Sequence, residues 1–174
     1  MTSIKTERLE LIPFAEEHYQ AIFVNDNHKL GKLLGCEPPE SWTEYDDAKE
    51  ALPILYKFFM DLNGDWRWGS FFIKYDNQLA GNCGFKGKPD TNNCVEIGYE
   101  IHPNFQNKGL ATEAACALVK IALEAGVITV KAHTFELANA SAHVLKKAGF
   151  HSTGPVHDPD EGLVWAWSLH NSTK

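Results

Sequence analysis

A chain of 174 residues with 44% hydrophobic and 22% charged residues has the size and composition of one globular domain, which excludes a disordered, collagenous or two-domain protein. Its formal net charge of -7 repels phosphate backbones and anionic membranes and favours cationic partners such as amines, so nucleic acid and membrane are not expected partners. No apolar run reaches the ~18 residues of a bilayer span, and the opening MTSIKTERLELIPF lacks the pattern of a signal peptide, so a cytoplasmic location is expected. Cys36, Cys83, Cys94 and Cys116 fall in no CxxC pair and are expected to be four small buried hydrophobes, with no metal site.

The segment from Ile4 to Phe14 alternates, with Leu9 and Leu11 on one face, and predicts a first strand ended by Pro13. A helical stripe runs from Ala15 to Asn25, followed by an irregular stretch through Gly31, Gly35 and Pro38-Pro39. A second helix is expected from Thr43 to Leu62, kinked or broken at Pro53. The runs Trp68 to Tyr75 and Gln78 to Phe85 read as strands joined by a hairpin turn at Asp76-Asn77.

In the second half, CVEIGYEI from Cys94 to Ile101 alternates cleanly. Val95, Ile97, Tyr99 and Ile101 share an apolar face, with Tyr99 assigned to the core, while Glu96, Gly98 and Glu100 share the other face. Gln106-Asn107-Lys108-Gly109 reads as a turn into a nearly all-apolar helix that ends at Gly126. VITVKAHTFE is the next strand, NASAHVLKKAGF a short helix that Asn139 caps, and GLVWAWSLH a closing strand.

Chemistry concentrates at the strand, turn and helix of EIHPNFQNKGLATEA. A glycine and small residues where a strand enters a helix expose several amide N–H groups together at the positive end of the helix dipole, a geometry that binds phosphate without net positive charge. The competing segment Gly81 to Lys88 resembles a P-loop, but its glycines are spaced one residue too long and Pro89 stands where a magnesium-binding hydroxyl is needed.

The turn QNKGLA resembles the Q/R-x-x-G-x-G/A signature of the GNAT superfamily of acetyl-CoA-dependent N-acetyltransferases, and Asn139-Ala140-Ser141 followed by VLKKAGF resembles its second signature. TERLELIPF and EIGYEIHPNFQNKGLATEA are similar to the ribosomal-protein alanine/serine (Rim) branch. The pattern departs at Ile12, where that branch commonly has a basic residue, and between Asn25 and Asp65, the region expected to line the acceptor pocket. The resemblance implies an α/β (α+β) fold: a single mixed, mostly antiparallel, twisted sheet of about 6–7 strands with helices on both faces, split at its central strand to admit acetyl-CoA.

It further implies that Asn107, Lys108, Gly109, Ala111 and Thr112 surround the pyrophosphate, that Gln106 belongs to the same cofactor site and that the strand ending at Ile101 pairs with the pantetheine arm. Ile101 N–H would polarise the thioester carbonyl, Asn139 would reach the pantetheine, and Ser141 would protonate the departing thiolate. Acyl transfer to nitrogen needs a neutral amine and a proton acceptor. Glu96 is the preferred base and Glu100 the second, with His133 and His143 as alternatives. Trp66 or Trp68 is a candidate wall of the acceptor cleft. The expected activity is transfer of acetyl to a protein N-terminal amine. The alternatives are a small amine as acceptor or an acyl-CoA-binding module without turnover; a homodimer is left open.

Overall fold

The computed structural model describes residues 2–159 and 162–171. Eight strands form one sheet in the order β1-β2-β3-β4-β5-β6-β8-β7. They are β1 (Ile4–Lys5), β2 (Glu10–Pro13), β3 (Ser70–Tyr75), β4 (Gln78–Phe85), β5 (Cys94–Ile101), β6 (Thr129–Thr134), β7 (His151–Asp158) and β8 (Gly162–His170). Every pairing is antiparallel except β5 with β6. A parallel neighbour requires a crossover, and it is supplied by α5 (Leu110–Glu124). The mixed, mostly antiparallel sheet is as expected, with a slightly higher strand count.

Alternation sends neighbouring residues of β3 into different cores. Phe71 and Ile73 join Val95, Ile97, Ile101, Leu118 and Val130 beneath α5 and α6 (Ala140–Lys147). Phe72 joins Phe14, Tyr19, Ile22, Leu30 and Trp42 beneath α1 (Glu16–Phe23) and α2 (Asn27–Leu34). Phe14 stacks on Phe72 with ring centroids 3.7 Å apart. Helices therefore cover both faces of the sheet. At Gly81 the strands β4 and β5 approach so closely that a Cβ would collide with the Glu100 carbonyl.

Several elements differ from their sequence patterns. The first strand is two, because Thr6 N–H bonds Leu9 O (3.0 Å) and turns the chain, taking Arg8 out of the sheet. The segment read as irregular contains α2, which ends where Gly35 adopts φ 59°. Gly31 inside it is a packing residue, since a Cβ there would lie 2.7 Å from Pro38 Cα. The expected break near Pro53 separates α3 (Asp46–Glu50) from α4 (Leu52–Asp61), with the proline in the first turn, where no N–H is missed. β7 went unread because His151–Asp158 carries no apolar alternation and is exposed or half-buried throughout. Of the cysteines, Cys83 is buried, Cys36 and Cys94 are half-buried, and Cys116 is exposed on the outer side of α5. No described helix is long and apolar enough to cross a membrane.

Candidate active site

The site begins where β5 and β6 part. They pair through Cys94↔Thr129, Val95↔Val130 and Glu96↔Lys131, and no further. Lys86 N–H donates to Glu96 O and His102 N–H to Ala80 O, both at 2.9 Å. With the register Gly84↔Gly98, the even-numbered residues of β5 therefore bond to β4, and the odd ones turn their main-chain groups toward the side that β6 has left. Tyr99 and Ile101 thus present main-chain donors and acceptors to an open gap. At its outer end Ile101 C=O accepts from Tyr45 Oη and Gln106 Nε2, each at 3.0 Å.

A cleft of about 660 Å³ fills this gap and continues to the start of α5; Ile101, Gln106, Asn107, Gly109, Ala111 and Thr112 all line it, as do Glu100 and Ser141. Asn107 (φ 60°) and Gly109 (φ 78°) both take left-handed conformations, which curls the turn and presents its amides to the cleft. Among the described residues the N–H groups of Asn107 to Thr112 bond no acceptor of the protein, so the turn is a cradle of unspent donors at a helix N-terminus. These features fit an extended arm ending in a pyrophosphate.

Arg8 braces the turn from the other end of the chain. Its Nη1 donates to Lys108 O at 2.9 Å, and its Nε pairs with Glu113 Oε2 at 2.7 Å. Burial alone would raise the Glu113 carboxyl, but hydrogen bonds from Thr6 and Arg8, with the Arg8 charge, hold it below the ordinary range. The negative charge of Glu113, in the first turn of α5, is thereby ion-paired. The side chain of Lys108 does not line the cleft; its ammonium lies 5.1 Å from the centroid of the Phe105 ring.

A second cleft of about 260 Å³ is lined by Lys86, Glu96, Tyr99, His133, Phe135, Asn139 and Ser141, among others. It shares Tyr99 and Ser141 with the first. Tyr99 is not closed in the core as its apolar alternation predicts. It is half-buried at the junction, with Oη 2.9 Å from Ser141 Oγ and donating to Ser141 O at 3.1 Å. Burial pushes its phenol up to about 12, so it remains protonated at neutral pH. Asn139 lines the second cleft rather than the first and caps α6, its Oδ1 accepting from Ala142 N–H at 2.8 Å.

The two carboxylates of β5 are separated by this arrangement. Glu100 accepts from Thr43 Oγ1 (2.5 Å) and Asn82 Nδ2 (2.8 Å). Glu96 faces the second cleft, where Lys86 Nζ (2.6 Å) and His133 Nδ1 (3.1 Å) meet its Oε1. His143 lines the first cleft, away from Glu96. Trp68 is buried edge-on against Phe85 and lines a separate pocket under α4, while Trp66 packs against Phe71. Sequence reasoning missed Arg8, Tyr45 and Tyr99. Each acts across a long sequence separation, and only TERL, already noted as a resemblance, pointed toward the first.

The model of the acetyltransferase (GNAT) domain matches residues 8–151. The chain belongs to the GNAT family. It is 32% identical to YjdG, an uncharacterized N-acetyltransferase of Bacillus subtilis (strain 168), over 86% of this chain and 90% of that protein. Among solved structures it is similar to RimL, a ribosomal L7/L12 α-N-protein acetyltransferase in complex with coenzyme A, with TM-score 0.72 and 17% identity, covering 99% of this chain and 100% of that one. The microcin C7 self-immunity acetyltransferase MccE, in complex with acetyl-CoA and AMP, gives TM-score 0.68 at 18% identity, covering 95% and 94%. This GNAT chain is an acyltransferase that uses acetyl-CoA as the acetyl donor.

Proposed function

We propose that this GNAT enzyme acetylates protein N-terminal α-amines by direct attack in a ternary complex, with acetyl-CoA in the large cleft and the amine entering through the small one. The observation that carries this reading is the meeting of the two clefts at Tyr99 and Ser141. Main-chain N–H groups from Asn107 to Thr112 hold the pyrophosphate, with Gln106 fixing the end of β5. The Lys108 ammonium adds a diffuse positive field beside them. Main-chain groups of Tyr99 and Ile101 pair with the pantetheine as an added strand, and Asn139, on the small cleft, caps the helix that presents Ser141.

Acetyl-CoA supplies an activated thioester. Ile101 N–H donates to its carbonyl oxygen and stabilises the charge that develops there. The amine lone pair forms the new C–N bond, and the proton leaving nitrogen is taken up on the side of the small cleft, where Glu96 supplies negative charge. Glu100, tied to Thr43 and Asn82, shapes the wall. When the C–S bond breaks, Ser141, hydrogen-bonded to Tyr99, delivers a proton to the thiolate.

The α-amine is favoured as acceptor by its acidity. Near pH 7 an α-amine of pKa ~8 is about one-tenth neutral, against below about one part in a thousand for a lysine amine. The net charge of -7 attracts a cationic acceptor, and the likeness to RimL, named for α-N-protein acetylation, agrees. The modest volume of the second cleft favours a second reading, a small free amine. Thiol release measured with unblocked Ser- and Ala-initiated peptides, their N-blocked forms, spermidine, lysine and glucosamine decides between them. Turnover with the free peptides alone is expected; turnover with the small amines alone overturns the N-terminal reading.

A further inference from the structure

We infer that the proton acceptor of this reaction is His133 Nε2, and that Glu96 is the residue that positions it. This rests on the acetyltransfer reading above and names the group that carries its proton step.

The fork between β5 and β6 brings the pair together. Glu96 is the last residue of β5 paired with β6, opposite Lys131, and His133 lies two residues beyond on the same face of β6. Both side chains are mostly covered, at 23% and 17% exposure, and both line the second cleft with Tyr99 and Ser141. An ionised carboxylate only accepts hydrogen bonds, and an ammonium only donates. Lys86 Nζ lies 2.6 Å from Glu96 Oε1 and His133 Nδ1 lies 3.1 Å from the same oxygen. Nδ1 must therefore carry the hydrogen, and the neutral ring keeps its lone pair on Nε2.

Glu96 is poorly arranged to take the proton itself, because protonation would end its ion pair with Lys86. An imidazole whose N–H is anchored by a carboxylate has the opposite property: the charge it gains is met by a fixed negative partner. The balance is complete. The amine nitrogen bonds the carbonyl carbon, its excess proton passes to His133 Nε2, and the C–S pair leaves with sulfur, which takes a proton from the Ser141–Tyr99 pair. The imidazolium returns its proton through solvent to that pair, leaving amide and free thiol.

Two measurements test the assignment. Nitrogen-15 correlation spectroscopy of the ring, on the full chain at about pH 8, is expected to show His133 neutral with hydrogen on Nδ1; a ring protonated on Nε2, alone or as imidazolium, overturns it. His133→Ala is expected to lower kcat about 100-fold with KM for acetyl-CoA unchanged, and added imidazole to restore part of the loss, using the free peptides above as acceptors. Glu96→Gln is expected to lose less. His133→Ala with full turnover, or a loss at Glu96→Gln exceeding that at His133→Ala, overturns the dyad while leaving the acetyltransferase reading intact. Wild-type protein that binds acetyl-CoA but releases no thiol with any acceptor overturns that reading, and the catalytic role of His133 with it.

Discussion

The two clefts are built from different materials. The large one is made of main chain: the unspent amides of Asn107 to Thr112 and the outward-facing groups of Tyr99 and Ile101. The small one is made of side chains: Glu96 and His133 from two strands, and Lys86 and Phe135 from the segments that follow β4 and β6. Backbone recognition suits a partner that never changes, since almost any side chain can stand there provided the path is kept. Side-chain recognition suits a partner that differs among relatives. The two meet at Tyr99 and Ser141, where the proposed reading puts the chemistry.

If that division is right, changes at the junction move kcat, changes in the cradle move KM for acetyl-CoA, and changes in the supporting frame move stability. The largest expected effect in this series is at Tyr99. Tyr99→Phe removes the hydroxyl beside Ser141 and is expected to cut kcat about 100-fold, KM for acetyl-CoA holding steady; steady-state kinetics with unchanged kcat would detach Tyr99 from the proton path. Gly109→Val forces a β-branched residue to φ 78° and is expected to raise KM for acetyl-CoA about tenfold, consistent with the 1–3 kcal/mol of strain such a conformation stores. A purely kcat effect there would break the contrast.

Asn139→Ala removes the cap of α6 and is expected to cost about 1 kcal/mol, seen as a fall in Tm of roughly 2–4 °C. The smallest effect concerns the brace between Arg8 and Glu113. Because the folded carboxyl is held below its ordinary value of 4.5, its contribution is fully present above that value and disappears as pH falls through the lowered one. Urea unfolding should find Glu113→Gln less stable than wild type near neutrality, the difference closing at acid pH. A constant gap would show that the pair contributes through packing alone.

The same division explains which parts could be read from the chain. The cradle lies within one short run, where Gly109, the small residues after it and the apolar stripe of α5 are local signals of a turn entering a buried helix. The capped helix α6 was legible for the same reason. The second cleft leaves no local mark, because Glu96 and His133 lie on strands with a helix between them. Tyr99 was misplaced because alternation reports which side of a strand a residue occupies. It does not report that the neighbouring strand has left, and there the apolar face becomes a wall. Arg8 was read as a strand residue, since its own partners, Glu113 and Lys108, lie about a hundred positions away in the chain.

The short pairing of β5 with β6 has a mechanical consequence. Three residue pairs join a half-sheet of β1 to β5 with one of β6 to β8, the shortest pairing in the interior of the sheet, so the seam is the line along which the two halves are most weakly coupled. A bound strand-like ligand bridges that seam and couples the halves. At a ligand concentration 100 times Kd the gain is about 2.7 kcal/mol, and much of it should register as slowed amide exchange in β6 and β8, beyond the residues touched.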